Sequence, residues 1–172
     1  MSLWTEFLHG LREPEYVHVL LNPLPVYGLA VGLFALLIAQ FSRSRSTMAL
    51  ALVLILLGAA SVWPTASYGH GGYDRVYSMS NDAAQKWLNW HVHLADTLEW
   101  IDTAVVVLAA AALLVIWKFP RFLRVSVVLT AIVAFAGLGL GSFVGFVGGK
   151  IRHSEFRSAP PPSWADTSPQ ED

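Results

Sequence analysis

The sequence predicts an all-α polytopic membrane protein, a four-transmembrane-helix up-down bundle with a short interfacial N-terminal helix. Three observations lead there. Apolar residues make up 55% of the 172-residue chain and charged residues only 13%, against roughly 25% charged in soluble domains. Four apolar segments, about 17–41, 48–66, 92–117 and 122–149, approach or exceed the ~20 helical residues that cross a hydrocarbon layer about 30 Å thick. No segment shows strand-type alternation, and the only internal repetition is a loose likeness between two helical hairpins.

Ahead of the first span, Leu3, Trp4, Phe7, Leu8 and Leu11 fall at helical spacing, which predicts an amphipathic helix over about 3–12 lying in a membrane interface. The opening MSLWTEFLHGLREPEY lacks the basic start, apolar run and small-residue cleavage site of a secretory leader. The first span is therefore expected to act as an uncleaved insertion signal, with the mature chain starting at Met1 or Ser2. Asn22, Pro23 and Pro25 interrupt regular hydrogen bonding where that span begins, just below His18, and make a candidate ligand entrance. Short breaks at Ser42–Thr47 and Lys118–Arg121 close two hairpins, and a longer polar stretch, Ser67–Trp90, is expected to join them. Trp63, Trp87, Trp90 and Trp117 sit near expected span ends, as an interfacial aromatic belt does. In the fourth span Gly137, Gly141, Gly145 and Gly149 recur every fourth residue. Such a stripe serves close helix packing, or leaves room for a flat ligand such as a porphyrin. Residues 1–157 thus read as one membrane domain. The tail 158–172, SAPPPSWADTSPQED, is too polar and proline-rich to fold alone and is expected to be free or laid against a partner.

Charge sets the expected orientation. Arg43, Arg45, Lys118, Arg121 and Arg124 lie in or beside the short loops with no acidic residue among them, while all 12 acidic residues lie elsewhere. The positive-inside rule puts those loops in the cytoplasm and both termini on the periplasmic side of a bacterial inner membrane.

Composition also excludes chemistry. The chain has no cysteine, so disulfides, thiolate metal sites, iron–sulfur ligation and covalent c-type haem attachment are out, and any metal must be held by nitrogen and oxygen. A net charge of -1 and the lack of a basic patch interleaved with aromatics argue against nucleic acid as a partner. No nucleophile elbow or phosphate loop is present, and whether the chain is an enzyme stays open.

The topology gathers all 6 histidines, His9, His18, His70, His91, His93 and His153, on the periplasmic side. Histidine suits a ligand or proton-transfer role there, although a span-end histidine also serves as a solvated anchor. The third span adds His93, Asp96, Glu99 and Asp102 at intervals of three, a line that spirals around the helix as it descends. Asp102 lies about 22 Å from the cytoplasmic end of that span, inside the membrane. A carboxyl at such depth costs on the order of 3 kcal/mol and faces a bundle interior, a partner or a watery cavity. Either Asp102 is protonated and bonded to a neighbouring helix, or the acids form a proton path or a metal's outer shell with Asp96 orienting His93.

Two stretches, YVHVLLNPLPVYG at 16–28 and GGKIRHSEFR at 148–157, resemble a family of bacterial four-helix inner-membrane proteins of unassigned activity. The likeness extends through GAASVWPTA from Gly58 and HVHLAD at 91–96, covering most of 16–157. That family looks distantly similar to a larger set with an HPxxVHFP-type start, some fused to Rieske-type domains, which implies a redox context by analogy only. The resemblance singles out His18, His93 and His153, with acids at Asp96 and Glu155. The chain departs from the family at Pro23, where a second histidine is expected; His70 or His91 are the candidates to replace it.

The expectation is an integral membrane redox protein holding haem b or a non-haem iron, copper or zinc near the periplasmic face. His18, His93 and His153 are the candidate ligands, with Asp96 for a metal and His70, His91 and Glu155 in reserve; Glu99 and Asp102 are buried acids. Its partners would be the bilayer and other membrane subunits or a periplasmic redox protein. The alternative is a non-catalytic accessory subunit of a respiratory, photosynthetic or oxygenase complex, docked through its N-terminal helix and tail. A small transporter with a proton path centred on Asp102 is weaker, because no second charge lies deep in another span.

Overall fold

The computed structural model describes residues 2–42 and 44–166. Arg43 and the end of the acidic tail, 167–172, lie outside the described residues. Seven α-helices follow in order: α1 Leu3–Gly10, α2 Pro14–Leu21, α3 Pro23–Ser42, α4 Arg45–Ala60, α5 Val62–Ser78, α6 Asp82–Lys118 and α7 Leu123–Arg152. Among the described residues there is no strand. Four continuous runs, Pro14–Ser42, Arg45–Ser78, Asp82–Lys118 and Pro120–Arg152, are long and apolar enough to cross a membrane.

The polar stretch expected to join the two hairpins is almost wholly helical, with only Met79–Asn81 separating α5 from α6. α6 is 37 residues, about 55 Å, well beyond a hydrocarbon thickness. Local propensity does not explain this, since α5 contains Pro64 and three glycines. Caps and tertiary bonds hold the segment instead. Asn81 Oδ1 accepts from the backbone N–H of Ala84 at 2.9 Å to start α6, and Gln85 Nε2 donates to the carbonyls of Tyr77 and Ser80 at the end of α5. The proline break at the head of the first span is shallow: Asn22 stays in helical conformation and bonds back to His18 O at 2.8 Å. Pro23 then occupies the first turn of α3, where its missing N–H costs nothing.

The chain divides into two compact units, Met1–Asn22 with Pro64–Thr97 and Ser142–Asp172, and Pro23–Trp63 with Leu98–Gly141. The second unit has an aliphatic core that includes Leu29 and Leu36 of α3, Leu52 and Ile55 of α4, Val105 and Ile116 of α6, and Ala134 of α7. Its outward faces carry Phe34, Phe41, Leu57, Leu114 and Phe135, an apolar surface suited to lipid and out of keeping with water. α3 and α4 approach until their backbones touch: a Cβ on Gly28 would fall 2.6 Å from Gly58 Cα. The stripe on α7 is used only in part for packing. Gly137 and Gly141 are buried, whereas Gly145 has no neighbour within 4 Å and Gly149 meets only Phe156.

Within the first unit, Ser2 caps α1, and Leu3, Trp4 and Leu8 stay exposed on it, as an interfacial helix requires. Arg75 of α5 pairs with both Glu13 and Glu15, tying it to the start of α2. Trp87 is no belt residue: it is buried, with Lys150 Nζ 4.4 Å from its ring centre and 4.6 Å from that of Phe146, a cation–π cage for a buried lysine. Arg157 donates to the carbonyls of Lys150 and Ile151 and so caps the C-terminus of α7.

Candidate functional site

The first unit holds a half-open, mainly apolar pocket of about 400 Å³ whose walls include Tyr16, Val19, Tyr73, Leu88, Val92 and Ile151. His18 from α2 and His91 from α6 both line it. Their ring centres are 6.3 Å apart and their planes stand at 82°.

Each imidazole is fixed by the same device. His18 Nδ1 is 2.8 Å from the carbonyl of Thr65, and His91 Nδ1 is 3.1 Å from that of Val144. A carbonyl only accepts, so each Nδ1 carries the proton and each Nε2 keeps its lone pair. No hydrogen bond among the described residues uses either Nε2. Glycines make room for both rings. A Cβ on Gly69 of α5 would fall 2.9 Å from His18 Nδ1, and one on Gly148 of α7 would fall 3.0 Å from His91 Cε1. Gly72, where a Cβ would meet Glu15 at 3.0 Å, lets α2 lie directly on α5.

Glu15, His70 and Arg152 supply charge or polarity to the lining. Glu15 is taken by Arg75, while Arg152 forms no ion pair among the described residues. His70 Nε2 lies 3.0 Å from Asp96 Oδ1, so Asp96 orients His70 and not His93.

The structure does not assemble His18, His93 and His153. His93 is exposed on α6 with its edge toward Trp164, ring centres 4.9 Å apart. His153 lies past the end of α7, bonded to Glu155 at 2.9 Å and stacked on Phe156. The Glu155 carboxyl is held below the usual range by its own backbone N–H and then by His153. Among the described residues no three His, Asp or Glu side chains are grouped to hold a metal ion.

His91 was only a reserve candidate, yet the helical period of α6 distinguishes it. Ala84, Leu88, His91, Leu98, Asp102 and Val105 recur at three-, four- and seven-residue spacings and are all buried. His93, two residues on, turns about 200° away from His91. The line from His93 through Asp96 and Glu99 to Asp102 passes from exposed to buried as its spiral predicts.

The tail also differs from expectation, since its described part lies against the first unit itself. Ala165 is fully buried, and its carbonyl accepts from Asn89 Nδ2 at 3.1 Å; Asn89 Oδ1 in turn accepts from Tyr73 O–H at 2.7 Å. Replacing Asn89 by Ala leaves buried partners short of a bond, at an expected cost of about 1–3 kcal/mol. Limited proteolysis should then cut in the 158–166 segment faster than in wild type; an unchanged digestion rate would mean that Asn89 does not hold the tail.

No family model, curated protein or solved structure matches the chain.

Proposed function

We propose that this chain is an integral protein of the bacterial inner membrane that binds a b-type haem for electron transfer near the periplasmic face, and that His18 and His91 would hold its iron. One observation carries the reading: two histidines from different helices line a single apolar cavity, each with Nδ1 committed to a backbone carbonyl and Nε2 left for a metal. An ion bound to both Nε2 atoms at about 2.0 Å would set the ring centres roughly 6 Å apart. They stand at 6.3 Å. Two ligands suit a porphyrin iron, whose other four positions the macrocycle fills, and fall short of the four that a bare structural zinc takes.

When bound, the haem supplies one-electron chemistry. The chain's own part is to hold two neutral imidazoles in one tautomer, to exclude water with an apolar wall, and to offer Arg152 to a propionate. The Nδ1–H bonds to Thr65 and Val144 would raise the basicity of both imidazoles toward a bound iron. Expected orientation follows from Arg45, Lys118, Arg121 and Arg124, all exposed.

The test is an absorption spectrum of the detergent-purified protein, oxidised and then dithionite-reduced, with iron measured on the same sample. A sharp reduced-state band of six-coordinate low-spin haem with stoichiometric iron is expected. A folded, colourless preparation whose spectrum does not change when haemin is added would reject the proposal. The accessory-subunit reading keeps one observation, the exposed apolar face of α1, and it loses the tail as a free docking arm as far as Asp166.

A further inference from the structure

Asp102 lies on α6 in the unit formed by Pro23–Trp63 and Leu98–Gly141. It is 0% exposed, and neither carboxyl oxygen has a hydrogen-bond partner. Among the described residues no other buried side-chain oxygen or nitrogen is left so. α7 accommodates it through a notch: a Cβ on Gly137 would fall 2.5 Å from Asp102 Oδ1 and 3.3 Å from Leu29 Cδ1 of α3. The carboxyl is therefore enclosed by α6, α7 and α3 with no donor turned toward it.

The other titratable or charged groups described in this unit are Tyr27 on α3, Arg45 on α4, Glu99 and Lys118 on α6, Arg121 in the turn before α7 and Arg124 on α7. None pairs with Asp102. α7 faces the carboxyl with glycine and α3 with leucine; Glu99, one turn earlier on the same helix, is only partly buried. An ionised carboxylate needs donors or a counter-charge in apolar surroundings, and neither is there. A metal cation would ask for several further oxygens, and no grouped ligands exist among the described residues. A proton asks for none.

We propose that Asp102 is a proton-binding site buried in the apolar unit, its ligand a single exchangeable proton. A packing role alone is filled by Asn or Leu; the carboxyl adds the capacity to take up a proton and return it. The site uses no residue of the haem cavity and stands whether or not haem binds.

The test uses the full-length protein in detergent and in liposomes, treated at neutral pH with the apolar reagent dicyclohexylcarbodiimide. A protonated carboxyl adds across one C=N bond, its proton going to nitrogen and its oxygen to carbon, and the adduct rearranges to a stable N-acylurea with no group lost. One adduct is expected, on the peptide containing Asp102, absent in D102N and absent with a water-soluble carbodiimide. Infrared spectroscopy supplies the second readout, because a protonated carboxyl gives a carbonyl band apart from the amide bands. Loss of that band in D102N supports the site even where the reagent cannot enter. No band and no adduct in wild type, a band that persists in D102N, an adduct on Glu99 alone, or a band removed by sodium would each overturn the proposal.

Discussion

With His18 and His91 as the proposed haem ligands, His91→Ala is expected to abolish haem retention, lowering occupancy by more than about 100-fold, because even second-sphere partners of a metal ligand cost 10–100-fold when lost. His91 enters the cavity wall from α6, near an imidazole held from α2, and its Nδ1–H to Val144 leaves Nε2 for the proposed haem iron. His93→Ala and His153→Ala should keep full haem content, since one ring packs on Trp164 and the other on Phe156. His91→Met separates ligand loss from misfolding. A thioether in place of imidazole should retain six-coordinate haem at a higher reduction potential. Equal haem loss in the His91 and His93 variants, with normal helicity, would remove His91 from the ligand set.

Gly58→Ala and Gly145→Ala are expected to change stability in opposite directions, although each adds one methyl to a helix. A Cβ on Gly58 would fall 2.6 Å from Gly28 C and 2.8 Å from Leu29 N, and neither backbone atom can rotate away. α3 and α4 must part, loosening Leu29, Leu52, Ile55 and Ala59 around them, at an expected cost of about 1–3 kcal/mol. At Gly145 nothing lies within 4 Å, so alanine brings only its helix propensity, a gain of up to about 1 kcal/mol. Thermal unfolding in one detergent, followed by circular dichroism, measures both. A Gly58 variant as stable as wild type would mean that the α3–α4 approach does not limit stability; a destabilised Gly145 variant would mean that its open side is covered in the purified protein.

Much of the framework was legible because it rests on short-range rules. Runs of apolar residues long enough to span a membrane need no knowledge of their neighbours, and Ser2 and Ser44 stand where helix caps are wanted. The burial of Asp102 agrees with its place on the spiral that starts at His93, but its isolation was not legible, since a bond to a neighbouring helix fits the same sequence and neither oxygen has a partner. The helical course of 67–90 was not legible, because its polar composition and Gly69, Gly71 and Gly72 argue locally against a helix. Bonds from Tyr73 to Asn89 and from Gln85 to Tyr77 within the stretch, and from Arg75 to Glu13 outside it, override them.

The sequence by itself determined that the chain is helical, that four of its runs suit a membrane, and which residue types are available for chemistry. These follow from composition and from the 3.6-residue period, which act residue by residue along one chain. Only the tertiary structure decided that His18 meets His91 rather than His93 and His153, that Asp96 goes to His70, and that the tail returns to Asn89. Each of these depends on which glycine, carbonyl or side chain of a second helix stands opposite, and no periodicity within a single helix encodes its rotation against another.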